Sequence, residues 1–241
     1  MSNAVSGRSH ARDVLCRSGL FCHIDGALLD DMLEKFQPET WACGRTLPAE
    51  EVKDRFHVIV SGRLQVVKIN QETGRMVTLF LLAPGDAFDL LQLLTGQPCE
   101  GILEARDNLD ILSLPINAAR QWIGEHPEFN RTFLPYLGHQ MRALSQLAGD
   151  LALHDTETRL AHLIMRHLDK DERGMPRLKL INDLSHEVLA EMIGSVRAVV
   201  NRQLQHWRKA EIITLDHGHI QINKLESLIE RVKRYRLPAP K

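Results

Sequence analysis

The sequence predicts an α+β chain in three parts: an N-terminal antiparallel β-barrel or jelly roll, one long helix, and a C-terminal winged helix-turn-helix. Three observations predict it. Short segments alternating at period two recur across residues 56–114, an apolar spacing of three and four runs over residues 137–151, and two short amphipathic stretches flank Gly194.

At 241 residues the chain can bury one large core or two modest ones, and 44% hydrophobic content is ordinary for a globular protein. Two domains are expected. No apolar run approaches the ~20 residues of a membrane span and no basic-plus-apolar leader opens the sequence, so a cytoplasmic location without membrane contact is expected. Cys16, Cys22, Cys43 and Cys99 are too few and too scattered for a disulfide framework and read as free thiols. Residues 1–4 read as an expression scar.

In chain order, Leu28, Leu29, Met32, Leu33 and Phe36 recur at helical spacing until Pro38 and Gly44 break the pattern. Residues 56–69 alternate on both sides of Ser61-Gly62, which predicts two strands with a turn or bulge at the glycine. Residues 76–82 form a further strand, Pro84-Gly-Asp86 a turn, and residues 101–106 and 109–114 two more strands. Short strands at this pitch suggest the barrel or jelly roll. It ends at Pro115. Residues 118–122 look like a short helical turn and His126-Pro127 starts another, with a long helix from Pro135 carrying Leu137, Met141, Leu144, Leu147 or Ala148, and Leu151. That seam, about two and a half heptads long, is too short for a self-standing coiled coil and suits either packing on the chain's own barrel or a two-fold dimer helix; the dimer is the favoured reading. A polar stretch at residues 154–157 marks a hinge near His154 and Asp155. An amphipathic helix follows over residues 158–168, then a charged loop over 169–176 and a short strand over 178–180. The domain limits so read are 1–126, 127–154 and 155–241.

The C-terminal pair of helices carries the chemistry. Leu184, Val188, Leu189, Met192 and Ile193 make one apolar stripe, begun by Ser185 as N-cap and closed by Gly194, with small Ala190 where two helices would cross. In the next helix Val196, Val199, Val200, Leu204 and Trp207 gather on one side, and Ala198, Asn201, Arg202 and Gln205 opposite. From Ser195 through Ala210 there is no acid, while Arg197, Arg202, Arg208 and Lys209 are positive, so this surface favours phosphates. Residues 212–215 and 220–222 around a glycine turn at Asp216-His-Gly-His219 make the hairpin of a wing. From residue 186 to 241 ten Lys and Arg face six acids, a difference of +4, so the rest of a chain of net charge −1 carries about −5. The positive end is the helix-turn-helix end.

Four stretches, in this order and spacing, resemble the cAMP receptor protein and fumarate-nitrate regulator (CRP/FNR) family of bacterial transcription factors. Residues 56–66 resemble its strand-turn-strand, Leu82-Ala-Pro-Gly-Asp-Ala-Phe88 the turn that follows, residues 154–161 the start of its DNA-binding domain, and residues 189–204 its helix-turn-helix. The resemblance covers nearly the whole chain. It implies a cyclic-nucleotide-binding-like barrel, a homodimer joined by the long helix, DNA affinity controlled by a signal in the barrel, and as partners RNA polymerase and a pseudo-palindromic duplex. By it, Arg197 and Arg202 stand at DNA-contacting positions, and arginine suits bidentate contact with guanine. Ala198 departs, because many members carry there a glutamate that accepts from cytosine. Asn201 and Gln205 share the reading face, and Ser185 and His186 stand where a helix start meets the DNA backbone.

The signal is less legible. Cyclic-nucleotide members carry a Gly-Glu pair, a second Glu, and an Arg-Ser pair on the phosphate. Gly85-Asp86 keeps part of the first, but an ungapped continuation puts Cys99 and Glu100 where Arg and Ser stand, and a carboxylate there repels phosphate. Cyclic AMP is therefore not expected. Cys16 and Cys22 lack the close third cysteine of cluster-bearing members, which argues against an iron-sulfur cluster. A haem ligated by His23, His57 or a cysteine stays open, as do a cluster-based sensor, another small molecule, thiol oxidation or no ligand at all, and a ligand-binding module with vestigial DNA binding. No Gly-rich phosphate loop, His-x-x-x-His with a glutamate, or Cys-x-x-Cys is present, so an enzyme is not expected.

Overall fold

The computed structural model describes residues 2–97, 100–170, 176–216 and 219–233, with only the backbone described for residues 2–6 and 231–233. The chain divides into two compact units, residues 1–75 with 79–144 and residues 76–78 with 145–241.

The first unit opens with two helices, α1 (Ser2–Arg17) and α2 (Gly26–Lys35). Asp25 caps α2 by accepting from Ala27 N at 2.9 Å, and Leu29, Met32 and Leu33 turn inward. Helix α1 was not foreseen. Its sequence is largely polar, and the helix buries Ala11 and Leu15 in the core. Eight strands follow: β1 (Gln37–Trp41), β2 (Thr46–Pro48), β3 (Arg55–Ser61), β4 (Leu64–Ile69), β5 (Met76–Leu82), β6 (Ala87–Phe88), β7 (Ile102–Ala105) and β8 (Leu109–Pro115). They form two antiparallel four-stranded sheets, ordered β1-β8-β3-β6 and β2-β7-β4-β5. This is the jelly-roll form of the expectation. Pro38, which broke the helical pattern, is tolerated inside β1 because β1 is an edge strand.

Strand β3 is buried on both faces. Phe56, Val58 and Val60 join a cluster with the helices, whereas Ile59 joins the core shared by the two sheets. The two strands read around Ser61-Gly62 are present, with a register irregularity between Ile59 and Ser61; β3 pairs with β8 and β6, β4 with β7 and β5, and the chain crosses between sheets at the glycine. Gly62 adopts φ +80°, and a Cβ there would lie 2.6 Å from the Asn108 carbonyl oxygen.

Short α3 (Leu90–Thr95) precedes β7, and α4 (Ile116–Glu125) is longer than the turn read from the sequence. The long helix α5 (Pro127–Leu153) begins eight residues before Pro135, which lies inside it and not at its start. A proline within a helix costs ~3 kcal/mol. Phe129, Phe133 and Tyr136 are buried in the helix-lined core, at roughly 1.5–3 kcal/mol each, and outweigh that cost.

In the second unit, α6 (Thr156–Arg166) starts on Asp155, whose carboxylate accepts from Thr158 N at 2.8 Å. Strands β9 (Leu168–Lys170) and β10 (Pro176–Leu178) pair antiparallel. The predicted strand at 178–180 is thus two residues early in the structure, followed by the left-handed Leu180 (φ 64°), and its partner takes the last residue of the predicted helix, Leu168, and the first two of the predicted loop; residues 171–175 of that loop lie outside the described residues. Then come α7 (His186–Met192), α8 (Arg197–Lys209), the hairpin β11 (Ile213–Asp216) with β12 (His219–Ile222), and α9 (Leu225–Lys233), which the sequence reading passed over. The hairpin's tip, His217 and Gly218, lies outside the described residues. Helix α6 packs against α8 and α9. No helix among the described residues is long and apolar enough to cross a membrane.

Gly62→Ala should lower stability by about 1–3 kcal/mol, through left-handed strain together with a backbone clash, whereas Gly44→Ala, with φ +80° but open space, should cost less. Chemical denaturation of the two variants checks the difference.

Candidate functional site

Helix α8 is held by one face and presents the other. Val200, Leu204 and Trp207 are buried, and Trp207 Nε1 donates to Glu157 Oε1 at 3.1 Å, tying the helix to α6. Val196 departs from the expected core stripe: it is the N-cap, 52% exposed, because the helix has not yet turned its inner side to the core. Opposite, Arg197, Ala198, Asn201 and Arg202 are exposed and Gln205 is half-buried, which gathers all five predicted reading residues on one face. Neither Arg197 nor Arg202 has a hydrogen bond or ion pair among the described residues. Arg208 and Lys209 close the helix, where positive charge complements the macrodipole.

The angle between α7 and α8 is fixed at the turn. Gly194 takes φ +59°, and a Cβ there would stand 2.5 Å from a methyl carbon of Leu151. Ser195 N donates to Ala190 O at 2.8 Å, across the buried alanine that lets the helices approach. Arg159, on α6, donates through Nη1 to Ile193 O at 2.8 Å and so holds the turn's carbonyl. No local pattern singles out Arg159, since its partner is 34 residues away. Ser185 is the N-cap of α7 and accepts from Val188 N at 3.3 Å, with its hydroxyl hydrogen still free to donate, and His186 beside it is half-exposed. The wing is anchored by Ile220 N, which donates to Asn182 Oδ1 at 2.8 Å.

On α5, Met141 is 65% exposed, and Leu137, Leu144 and Leu147 are half-buried. Leu151 sits at the edge of exposure, and Leu134, one position ahead of the predicted seam, is exposed as well. An apolar stripe therefore remains in contact with solvent along the helix.

The sensor candidates of the first unit fall in different settings. Gly85 lies in the β5–β6 turn, its N donating to Ile59 O at 2.8 Å. The Asp86 carboxylate accepts from Ala83 N at 2.9 Å and from the Tyr136 hydroxyl at 3.1 Å, and burial pushes its pKa up. Tyr136 is pushed up as well, by burial first and then by the neighbouring Asp86 charge. Glu100 is on the surface, 3.1 Å from Lys68 Nζ, and Cys99 lies outside the described residues. Cys16, Cys22 and Cys43 are exposed free thiols and His23 is exposed. His57 is buried and stacked on Phe88 at 4.5 Å. No described contact joins His23, His57, Cys16 and Cys22.

A cavity in the same unit is walled by Val66, Phe80, Leu82, Leu103 and neighbouring apolar side chains, with Asp89 and Gln140 as its polar members. Asp89 is held at φ 64°, and burial raises its pKa; Oδ2 is 3.7 Å from His57 Nδ1, beyond hydrogen-bond reach. Among the described residues no lysine, arginine or histidine lines this cavity.

Residues 39–126 match the model of the cyclic nucleotide-binding domain, and residues 158–231 that of the Crp-like helix-turn-helix domain. The chain is 25% identical over 225 residues to the CRP-like cAMP-activated global transcriptional regulator of Mycobacterium tuberculosis, covering 92% of this chain and 99% of that protein. It is 26% identical over 219 residues to the global nitrogen regulator of a Synechocystis species, covering 89% and 94%. Among solved structures, a CooA mutant from Carboxydothermus hydrogenoformans superposes with TM-score 0.70 at 22% identity, over 83% of this chain and 89% of that one. The c-di-GMP responsive global regulator CLP of Xanthomonas campestris does so with TM-score 0.67 at 15% identity, over 82% and 99%. Such structural likenesses show the shared fold. Two domain matches in this order, with α7 and α8 forming the helix-turn-helix, mean that the chain belongs to the CRP/FNR family of transcription regulators.

Proposed function

We propose that the chain is a sequence-specific regulator that binds a pseudo-palindromic duplex as a homodimer, under control of a signal sensed in its first unit. One observation carries the reading. Arg197 and Arg202 stand exposed without a partner among the described residues, on a helix whose opposite face is locked by Trp207 and whose turn is locked by Arg159. Long cations held on a rigid helix, with nothing of their own to pair with, suit a partner rich in phosphates and acceptor base edges.

In this reading α8 enters the major groove. Arg197 and Arg202 reach guanine O6 and N7, while Asn201 and Gln205 read adenine or touch phosphate. Ser185 and His186 meet the backbone from the start of α7. Ala198 offers a methyl where a glutamate would accept from cytosine, which favours a thymine contact. Dimerisation is supported by the solvent-exposed stripe of Leu137, Met141, Leu144, Leu147 and Leu151, because two copies would bury it and set two half-sites at a fixed spacing. RNA polymerase is the partner the family role calls for.

The signal is other than cyclic AMP. The cavity among β4, β5, β7 and α5 holds a buried carboxyl and, among the described residues, no cation, so it suits an apolar molecule and offers a cyclic phosphate no charge to pair with. Relatives of the same fold are named for cAMP activation and for c-di-GMP response, so the fold alone does not select a ligand.

Arg202→Ala should cost ~1–3 kcal/mol on the best duplex and flatten base preference, as read by fluorescence anisotropy on matched and scrambled sites; an equal loss on both would make Arg202 a phosphate contact only. Selection of sites from a random pool should recover a half-site in which the base pair facing Ala198 differs from that of glutamate-bearing family members, and recovery of their unmodified half-site would count against the Ala198 assignment. Met141→Glu, placing a charge in the stripe, should shift the protein toward monomer in light scattering coupled to size exclusion and weaken binding to a full palindrome more than to a half-site.

A further inference from the structure

We propose that Asp150, His154 and His162 form a binding site for a first-row divalent transition-metal ion. Asp150 and His154 stand four residues apart where α5 ends, and His154 N still donates to Asp150 O at 3.1 Å, so both side chains leave the last turn on one side. His162 comes from α6, across the Asp155 cap. One ligand-capable atom from each of the three lies within 4.8 Å of the others. Asp150 is buried at 6% exposure, and the two imidazoles are half-buried and meet edge to face at 4.9 Å.

The carboxylate is already oriented for the task. Arg166 Nη1 donates to Asp150 Oδ2 at 2.5 Å, which leaves Oδ1 facing His162 Nδ1 at 2.6 Å. An outer-shell donor on the distal oxygen is how proteins fix a ligating carboxylate. In a tetrahedral site with bonds of 2.0–2.2 Å the donors stand roughly 3.3 Å apart, so the close pair must open and the wide pair close by about an ångström, within reach of side-chain rotation. Two imidazoles and one carboxylate favour zinc and its neighbours over calcium or magnesium, which take oxygen ligands. Three protein ligands leave a fourth position, and it opens onto a cavity bordered by Gln146, Gly149, Leu153 and Met165. Bound there, an ion would tie the end of α5 to α6 within the second unit.

The competing account is a metal-free ion-pair network of Asp150 with His162 and Arg166, and titration separates the two. With tag-free full-length protein dialysed against a chelator, calorimetric titration with Zn²⁺ should show one saturable site per chain. His154→Gln and His162→Gln should each weaken it by roughly 10–100-fold or more, whereas His23→Gln, on the exposed surface of the first unit, should leave it unchanged. If a glutamine variant does not fold, long-range ¹H–¹⁵N spectra of the wild-type imidazoles decide, and Zn²⁺ must shift His154 and His162 alone. Absence of saturable binding, binding that survives both substitutions, or shifts at other histidines overturns the site. None of these outcomes depends on the DNA reading.

Discussion

The outer face of α8 can act only because its inner face is immovable. Trp207 is fully buried, its indole N–H is satisfied by Glu157, and Val200 and Leu204 fill the space beside it. A reading helix must present side chains within a fraction of an ångström over many contacts, and van der Waals packing at crystal-like density supplies that rigidity. The turn adds the second restraint. Gly194 lets α7 and α8 approach where a side chain would collide with Leu151, and Arg159 holds the adjacent carbonyl. Orientation of the exposed arginines thus depends on groups on the buried side of the helix and at its turn.

The first unit answers a different demand, that of closing a core between two sheets while a helical layer covers one of them. Strand β3 serves both sides at once, with Phe56, Val58 and Val60 toward the helices and Ile59 toward the second sheet. The cavity among the strands and α5 inherits its apolar lining from the same packing, and its one buried acid, Asp89, sits in a left-handed conformation that a β-carbon disfavours. A strained, desolvated carboxyl beside an apolar space is an environment in which small changes of occupancy carry large electrostatic consequences.

Helix α5 belongs to both demands. Its first turns are pinned by Phe129, Phe133 and Tyr136, strongly enough to keep Pro135 inside the helix. Beyond Tyr136 the apolar side chains are only partly covered, and at its far end Asp150 makes polar contacts to α6 through His162 and Arg166. One helix is therefore anchored by aromatic burial at one end and by charge at the other, with an uncovered stripe between.

Local patterns by themselves determined the helix-turn-helix, the wing, strands β3, β4, β5, β7 and β8 and the face of α8 left outside its core, because side chains at periods of 3.6 and 2.0 report which face is buried without knowing what buries it. Ser185 as a cap and Gly194 as a stop were equally legible, since each satisfies a need of its own helix end. Only the tertiary structure decided that the chain crosses between sheets at Ser61-Gly62, that α1 forms at all, that α5 runs unbroken through Pro135, and that Val196 is exposed. It alone brought Arg159 to the turn and Asp150, His154 and His162 together. These features rest on contacts between residues distant in sequence or on aromatic burial large enough to override a local rule, and no period in the sequence encodes either.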